Sequence, residues 1–217
     1  KHNLEMINIM NSDGSISEKA PDKYIGMSRE IARKQIVSDL RDINHLIKEE
    51  DYIHKVGYSE RGNVPIEYYL SEQWFLKMED IANPAIQAVK NNEINFYPNH
   101  WVKTYNHWMD NIQDWCISRQ LYWGHQIPVW YKKDSDRSNP DNWFVSTSPP
   151  KDIENWEQDN DVLDTWFSSW LWPFAVHGWP DVKTTKYFPT NALVTGPDII
   201  FFWVARMIMS GYEFMGD

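Results

Sequence analysis

The stretch from Asn191 to Met209 constrains the fold more than any other part of this chain. Asn191-Ala-Leu-Val-Thr195 is a short apolar run, Gly196-Pro197-Asp198 breaks it, and Ile199-Ile-Phe-Phe-Trp-Val-Ala-Arg-Met-Ile-Met209 is apolar on nearly all sides. A strand polar on neither face must be covered on both, and a helix apolar all round must be buried, so the pattern predicts one strand–turn–helix step of a parallel sheet and an α/β fold. A membrane span is the other way to bury such a run, but Gly196, Pro197, Asp198 and Arg206 interrupt it, and charges inside a span are costly. No membrane association is expected.

The rest of the chain supplies the partners such a unit needs. At 217 residues it is long enough for one sizeable core, or for one domain and part of another. Met6 to Met10 alternates weakly and runs into Asn11-Ser-Asp-Gly14, which predicts a strand ending in a tight turn. Behind Ser28, a good N-cap, Ala32, Ile36, Leu40 and Ile43 recur at helical spacing and predict a helix packing its stripe on a small sheet. Residues 54–69 are rich in β-formers but punctuated by Gly57, Gly62 and Pro65, so they predict extended strands crossing between two bodies, with residues 1–66 forming one and 67–217 the other. Asn83-Pro84 predicts an N-cap and first turn for a helix through Ala85, Ile86 and Val89, and Asn99 one for a helix through Val102, Tyr105, Met109 and Ile112. Residues 132–160 are polar, carry Pro140, Pro149 and Pro150, and predict an inserted loop or minimal strand pair.

Charge and cysteine content exclude some functions. A formal net charge of −10 argues against this chain holding nucleic acid strongly by itself, because phosphate binding depends on clustered Lys and Arg. Cys116 is the only cysteine, so there is no disulfide framework and no paired-thiolate metal site, and a reducing, cytoplasmic compartment fits. The first residues lack both an apolar signal region and an initiating Met, which suggests a start within a longer protein. The 13 Trp residues suggest an aromatic-lined scaffold, although most of them need be no more than core packing.

Three long motifs carry a resemblance. Asp114-Trp-Cys-Ile-Ser-Arg-Gln-Leu-Tyr-Trp-Gly-His-Gln-Ile-Pro-Val-Trp130, Asp161-Val-Leu-Asp-Thr-Trp-Phe-Ser-Ser-Trp-Leu-Trp-Pro173, and Leu193 to Arg206 occur in an order that core packing alone would not demand. With them the chain closely resembles the class I aminoacyl-tRNA synthetases that activate branched aliphatic amino acids, and the valine-activating branch is nearest. The resemblance implies a Rossmann-like catalytic domain, here its second part, preceded by the C-terminal part of an inserted editing domain. It also implies ATP with Mg²⁺, valine and tRNA(Val) as partners of the whole enzyme. Isoleucine-activating members share this architecture, and a synthetase-derived, non-catalytic binding module is a further reading.

From position alone, Gly196 is a turn residue and Asp198 a helix N-cap. The resemblance instead implies that Gly196 and Asp198 contact the ribose of ATP or of the aminoacyl-adenylate, with Pro197 standing where a variable residue is usual. Trp203 reads as core packing by itself, yet Trp166, Ile199 and Trp203 match the walls of the valine pocket. Ile199 and Trp203 are four apart, so they are expected to share one helix face. Such a slot rejects isosteric threonine by only about 100-fold, a known property of valine-activating enzymes, so a second, editing site is expected.

Other positions are given smaller roles. Lys1-His2-Asn3-Leu4 resembles the stretch just beyond that editing site, and His2 receives no catalytic role. Arg119 is a partner for backbone or phosphate, or one half of a structural ion pair. His125 after Gly124 is not the family's His-x-Gly-His signature, and neither that signature nor the Lys-Met-Ser-Lys-Ser loop occurs among the 217 residues. No catalytic residue is therefore assigned, and the chain alone is expected to be inert. Without cysteine between Lys132 and Asn160, no structural zinc is expected there, although relatives carry a zinc knuckle in that insertion.

Overall fold

The structure, a computed structural model, describes residues 4–60, 62–182 and 186–216. It divides into two compact units, Lys1–Glu72 and Gln73–Asp217. His2, with the motif around it, lies outside the described residues.

In the first unit the expected turn forms. Gly14 takes φ +81°, open to glycine without penalty, Asn11 N–H donates to the Ser15 carbonyl at 2.8 Å, and Asp13 accepts from Ser15 N–H at 2.9 Å. The strand before it does not form. Only a bridge from Met10 to Ile16 is present, and Met6, Ile7 and Ile9 are exposed, so no neighbouring sheet rewards an extended run.

Helix α1 (Arg29–Asp42) starts where the sequence predicts, with Ser28 accepting from Ile31 N–H at 3.4 Å. Of its stripe only Ala32 is buried; Ile36, Leu40 and Ile43 are exposed, and the unit has no sheet for them to pack on among the described residues. Arg29 and Arg33 both grip Glu67, at 2.8 and 2.9 Å. The described residues of 54–69 carry no strand, only a bridge from Tyr58 to Pro65, so the expected extended strands do not form among them.

The second unit mixes helix and strand. Strand β1 (Phe75–Leu76) pairs antiparallel with β2 (Trp115–Cys116), and β3 (Ser118–Arg119) pairs antiparallel with β7 (Val162–Leu163). Where a loop or strand pair was expected, residues 129–158 build a three-stranded antiparallel sheet in the order β5 (Trp143–Val145), β4 (Val129–Lys132), β6 (Trp156–Gln158). Its inner face holds Ile127, Val129 and Tyr131 against Trp74 and Trp143. Asp159 ties this layer down by accepting from the Trp74 indole at 2.8 Å and the Tyr131 hydroxyl at 2.7 Å.

The main core lies among α2 (Glu79–Lys90), α3 (Trp101–Asp110) and the C-terminal helix α6 (Arg206–Met215), with Met78, Ala85, Tyr105, Met109, Trp170 and Met209 at its centre. Helix α2 begins at Glu79, so Pro84 lies inside it rather than at its first turn. Asp114 accepts the Met78 N–H at 3.2 Å, which anchors the earlier start, and the buried Met78 ties it to the core. For α3 the N-cap is His100, without a side-chain capping bond, while Tyr105 and Met109 are buried as predicted. Two short helices, α4 (Thr165–Ser169) and α5 (Trp172–Ala175), follow β7.

Residues 191–195 differ from the expected strand. They carry no strand assignment, Val194 is 95% exposed, and every strand pairing among the described residues is antiparallel. A buried parallel strand needs hydrogen-bonded neighbours on its flanks, and none of the described strands pairs with this run. The helix after it begins irregularly, as a 3-10 turn at Pro197–Ile199 and a π-helical turn at Ile200–Ala205 before α6.

Candidate functional site

An open cleft of about 740 Å³ lies in the second unit, walled among others by Asp114, Trp115, Arg119, Asp164, Trp166 and Arg206. Asp164 organises it. Its backbone N–H donates to the Ile117 carbonyl at 2.7 Å, which fixes it at the end of β7, and its Oδ1 caps α4 by accepting from Trp166 N–H at 2.9 Å. Oδ2 accepts from the Trp115 indole at 3.0 Å and pairs with the Arg119 guanidinium. Arg119 also donates from Nη1 to the Cys116 and Ser118 carbonyls, both at 2.8 Å. The ion pair expected as one option for Arg119 is thus present, and both oxygens of the buried carboxylate accept hydrogen bonds.

Arg206 is different. It is 7% exposed, its guanidinium lies 3.5 Å from the Trp115 ring centroid, and its Nη1 is buried without a hydrogen-bond partner. No carboxylate among the described residues pairs with it. Burial pushes its pKa down to about 10, partly offset by the field of Asp164 and reinforced by that of Arg119, so the side chain stays charged at neutral pH.

The residues expected from the sequence are only partly brought together. Trp166 lines the cleft and lies nearly parallel to Phe202, with ring centroids 6.2 Å apart. Ile199 closes the 3-10 turn and Trp203 lies in the π-helical turn, and neither is on the cleft wall. The wider π turn breaks the i, i+4 register that would have aligned them on one face. Trp203 instead donates its indole N–H to the Ser169 carbonyl at 3.0 Å, which ties it to α4, the helix that carries Trp166.

Gly196 and Asp198 are exposed at the head of this segment. Asp198 caps neither turn, and its carboxylate folds back so that a Cβ on Gly196 would meet Oδ1 at 2.6 Å. A backbone this open and a carboxylate not committed to capping could receive a hydroxyl-bearing ligand. Sequence reasoning missed the pairing of Trp115 with Asp164 and the burial of Arg206. One signal was available: an arginine inside the apolar run 199–209 has to be buried or paired.

Among the described residues no cluster of His, Cys, Asp and Glu side chains is placed to hold a metal ion, and no helix is long and apolar enough to cross a membrane. A family model for class I tRNA synthetases (I, L, M and V) matches residues 18–217. Valine--tRNA ligase of Bacillus subtilis is 53% identical over 221 aligned residues, covering 100% of this chain and 24% of the relative. The Geobacillus kaustophilus and Staphylococcus aureus ligases of the same name are also 53% identical, over 100% and 99% of the chain. The chain therefore spans about a quarter of the length of these relatives. A family match that runs from residue 18 to the last residue, and identity of this order across the whole sequence, establish that the chain belongs to the class I aminoacyl-tRNA synthetases of the isoleucine, leucine, methionine and valine group.

Proposed function

We propose that this chain is part of a valine-activating synthetase, its second unit belonging to the Rossmann-like catalytic domain and its first to the editing insertion. The observation that carries this reading is the 53% identity, across the whole chain, to ligases named for valine. The isoleucine-activating alternative has no comparable support.

In the parent reaction the valine carboxylate attacks the α-phosphate of ATP in line, giving valyl-adenylate, and the aminoacyl group passes to the terminal ribose of tRNA(Val). No side chain need act as nucleophile, so the protein's contribution is placement and charge stabilisation. Trp166, Ile199 and Trp203 bound the aliphatic side chain; Gly196 and Asp198 hold the ribose. The bond from the Trp203 indole to Ser169 supports this assignment, because it couples the Trp203 turn to the helix bearing Trp166. Mg²⁺ accompanying ATP would neutralise phosphate charge. The compartment proposed is the cytoplasm.

The test is ATP–pyrophosphate exchange by the full-length enzyme carrying this chain, with valine, isoleucine, leucine and threonine compared side by side. Valine should support strong exchange and threonine weak exchange. Trp203→Ala should raise KM for valine more than for ATP, and Asp198→Ala the reverse. Preference for isoleucine, or a Trp203→Ala enzyme with unchanged KM for valine, would refute the pocket assignment.

A further inference from the structure

Trp115 joins two segments of the second unit that carry different walls of the valine pocket proposed above. It lies in β2 and is 6% exposed. Its indole N–H donates at 3.0 Å to Oδ2 of Asp164, whose Oδ1 accepts the Trp166 N–H at 2.9 Å and so caps α4. The same ring meets Phe167, the next residue of α4, edge-on at 5.6 Å between centroids. Over the ring face, the Arg206 guanidinium lies 3.5 Å from its centroid. Arg206 opens α6 directly after the π-helical turn that holds Trp203.

These contacts are directional in a way that apolar packing is not. An indole has a single N–H, and a buried carboxylate oxygen already paired with Arg119 fixes where that N–H must point. A cation over an indole face is held most strongly when desolvated, and Arg206 is 7% exposed. The hydrogen bond therefore holds the start of α4, and the stacked guanidinium holds the end of the π-helical turn. A second link, from the Trp203 indole to the Ser169 carbonyl at 3.0 Å, joins the same two segments at the other end of α4. Two links at opposite ends leave α4 little freedom to slide or turn against residues 200–206.

We infer that Trp115 is a positioning residue for amino-acid selection: through Asp164 and Arg206 it sets the separation of Trp166 and Trp203, a role that rests on the valine-pocket reading. An aliphatic side chain offers only shape for recognition, so the width of the slot is the specificity, and a displaced wall admits isoleucine, one methylene larger than valine. Gly196 and Asp198, assigned to the ribose, lie outside both links. Loss of the Trp115 bond should therefore alter the choice of amino acid and spare ATP binding.

The test is ATP–pyrophosphate exchange by the full-length enzyme carrying Trp115→Phe, which keeps a ring under Arg206 and removes the N–H. KM for valine should rise about tenfold and the preference for valine over isoleucine should fall about tenfold, the factor an apolar slot attaches to one methylene, with KM for ATP within about twofold of wild type. Asp164→Ser, which keeps a capping oxygen but removes the acceptor shared by Trp115 and Arg119, should act in the same direction. Trp170→Phe is the control. It makes the same truncation in the same core, edge-on to Trp115 at 5.5 Å, but its indole N–H has no partner to lose. It should lower the melting temperature and leave both valine readouts near wild type. Unchanged valine readouts in Trp115→Phe, or an equal shift in Trp170→Phe, would overturn the positioning role. If Trp115→Phe does not fold, Asp164→Ser set against Trp170→Phe decides on the same readouts. Trp166→Ala separates this role from the pocket assignment. No rise in valine KM there would sink both, whereas a rise in Trp166→Ala alone would sink only the role of Trp115.

Discussion

Helices α1 and α2 invert the usual association between good local signals and good packing. Helix α1 has a side-chain N-cap at Ser28 and an uninterrupted helical stripe, yet Ala32 is its only buried residue. Helix α2 has no side-chain cap and a proline in its interior, yet Ala82, Ala85, Ile86, Ala88 and Val89 are all buried. Caps and periodicity locate a helix, while the apolar surface it covers decides what the helix is worth. The largest test of this contrast compares two truncations. Met109→Ala, beside α2 in the core and 1% exposed, should cost about 2–5 kcal/mol by lost transfer and a residual cavity. Leu40→Ala on α1, 37% exposed, should cost under about 1 kcal/mol. Urea midpoints of the two variants measure both; similar losses would mean that α1 is packed more tightly than its exposed stripe indicates.

The same contrast explains what could be read from the sequence. The turn at Gly14, the start of α1 at Ser28 and the burial of Tyr105 and Met109 follow from local chemistry and 3.6-residue spacing, and all are present. The start of α2 was misplaced because Asn83-Pro84 is a strong local start signal, whereas the deciding contact, Asp114 to Met78 N–H, comes from 36 residues away. The strand at 191–195 was misplaced because an apolar run marks a need for covering and does not show what supplies it. At the site, Trp166 was legible from its motif. The Asp164 hub, joining β7, α4, Trp115 and Arg119, was not, since it depends on pairs up to 49 residues apart.

A smaller effect sharpens the comparison at Pro84 itself. The residue is exposed inside α2, has no N–H for the Asp80 carbonyl, and crowds the preceding turn. Pro84→Ala should raise stability by about 1–2 kcal/mol: an interior proline costs roughly 3 kcal/mol, and its rigidity in the unfolded chain returns about 1. A higher urea midpoint at unchanged slope is the expected result. A lower one would show that the proline-adapted backbone, and not the helix's packing, fixes α2 in place.

The smallest expected effect lies on α1, where electrostatics at the surface takes the place of burial. Asp39 accepts from the Lys23 ammonium at 2.6 Å, the Tyr24 hydroxyl at 2.7 Å and the Gln35 amide at 3.0 Å, and these bonds, Lys23's first, hold its carboxyl down at about 2. Because the folded pKa lies below the ordinary 3.8, the unfolded chain binds the proton more readily. The contribution is therefore whole above about pH 4, declines as acid protonates the unfolded state, and is gone once pH falls below about 2. Solvent screens an exposed pair strongly, so the loss should be modest and should shrink with added salt. Amide exchange in α1 followed between pH 5 and pH 2 would show protection falling in wild type but staying flat in Asp39→Asn. A flat wild-type profile would mean that α1, with neither burial nor this cluster behind it, is held by its own hydrogen bonds and the Ser28 cap alone.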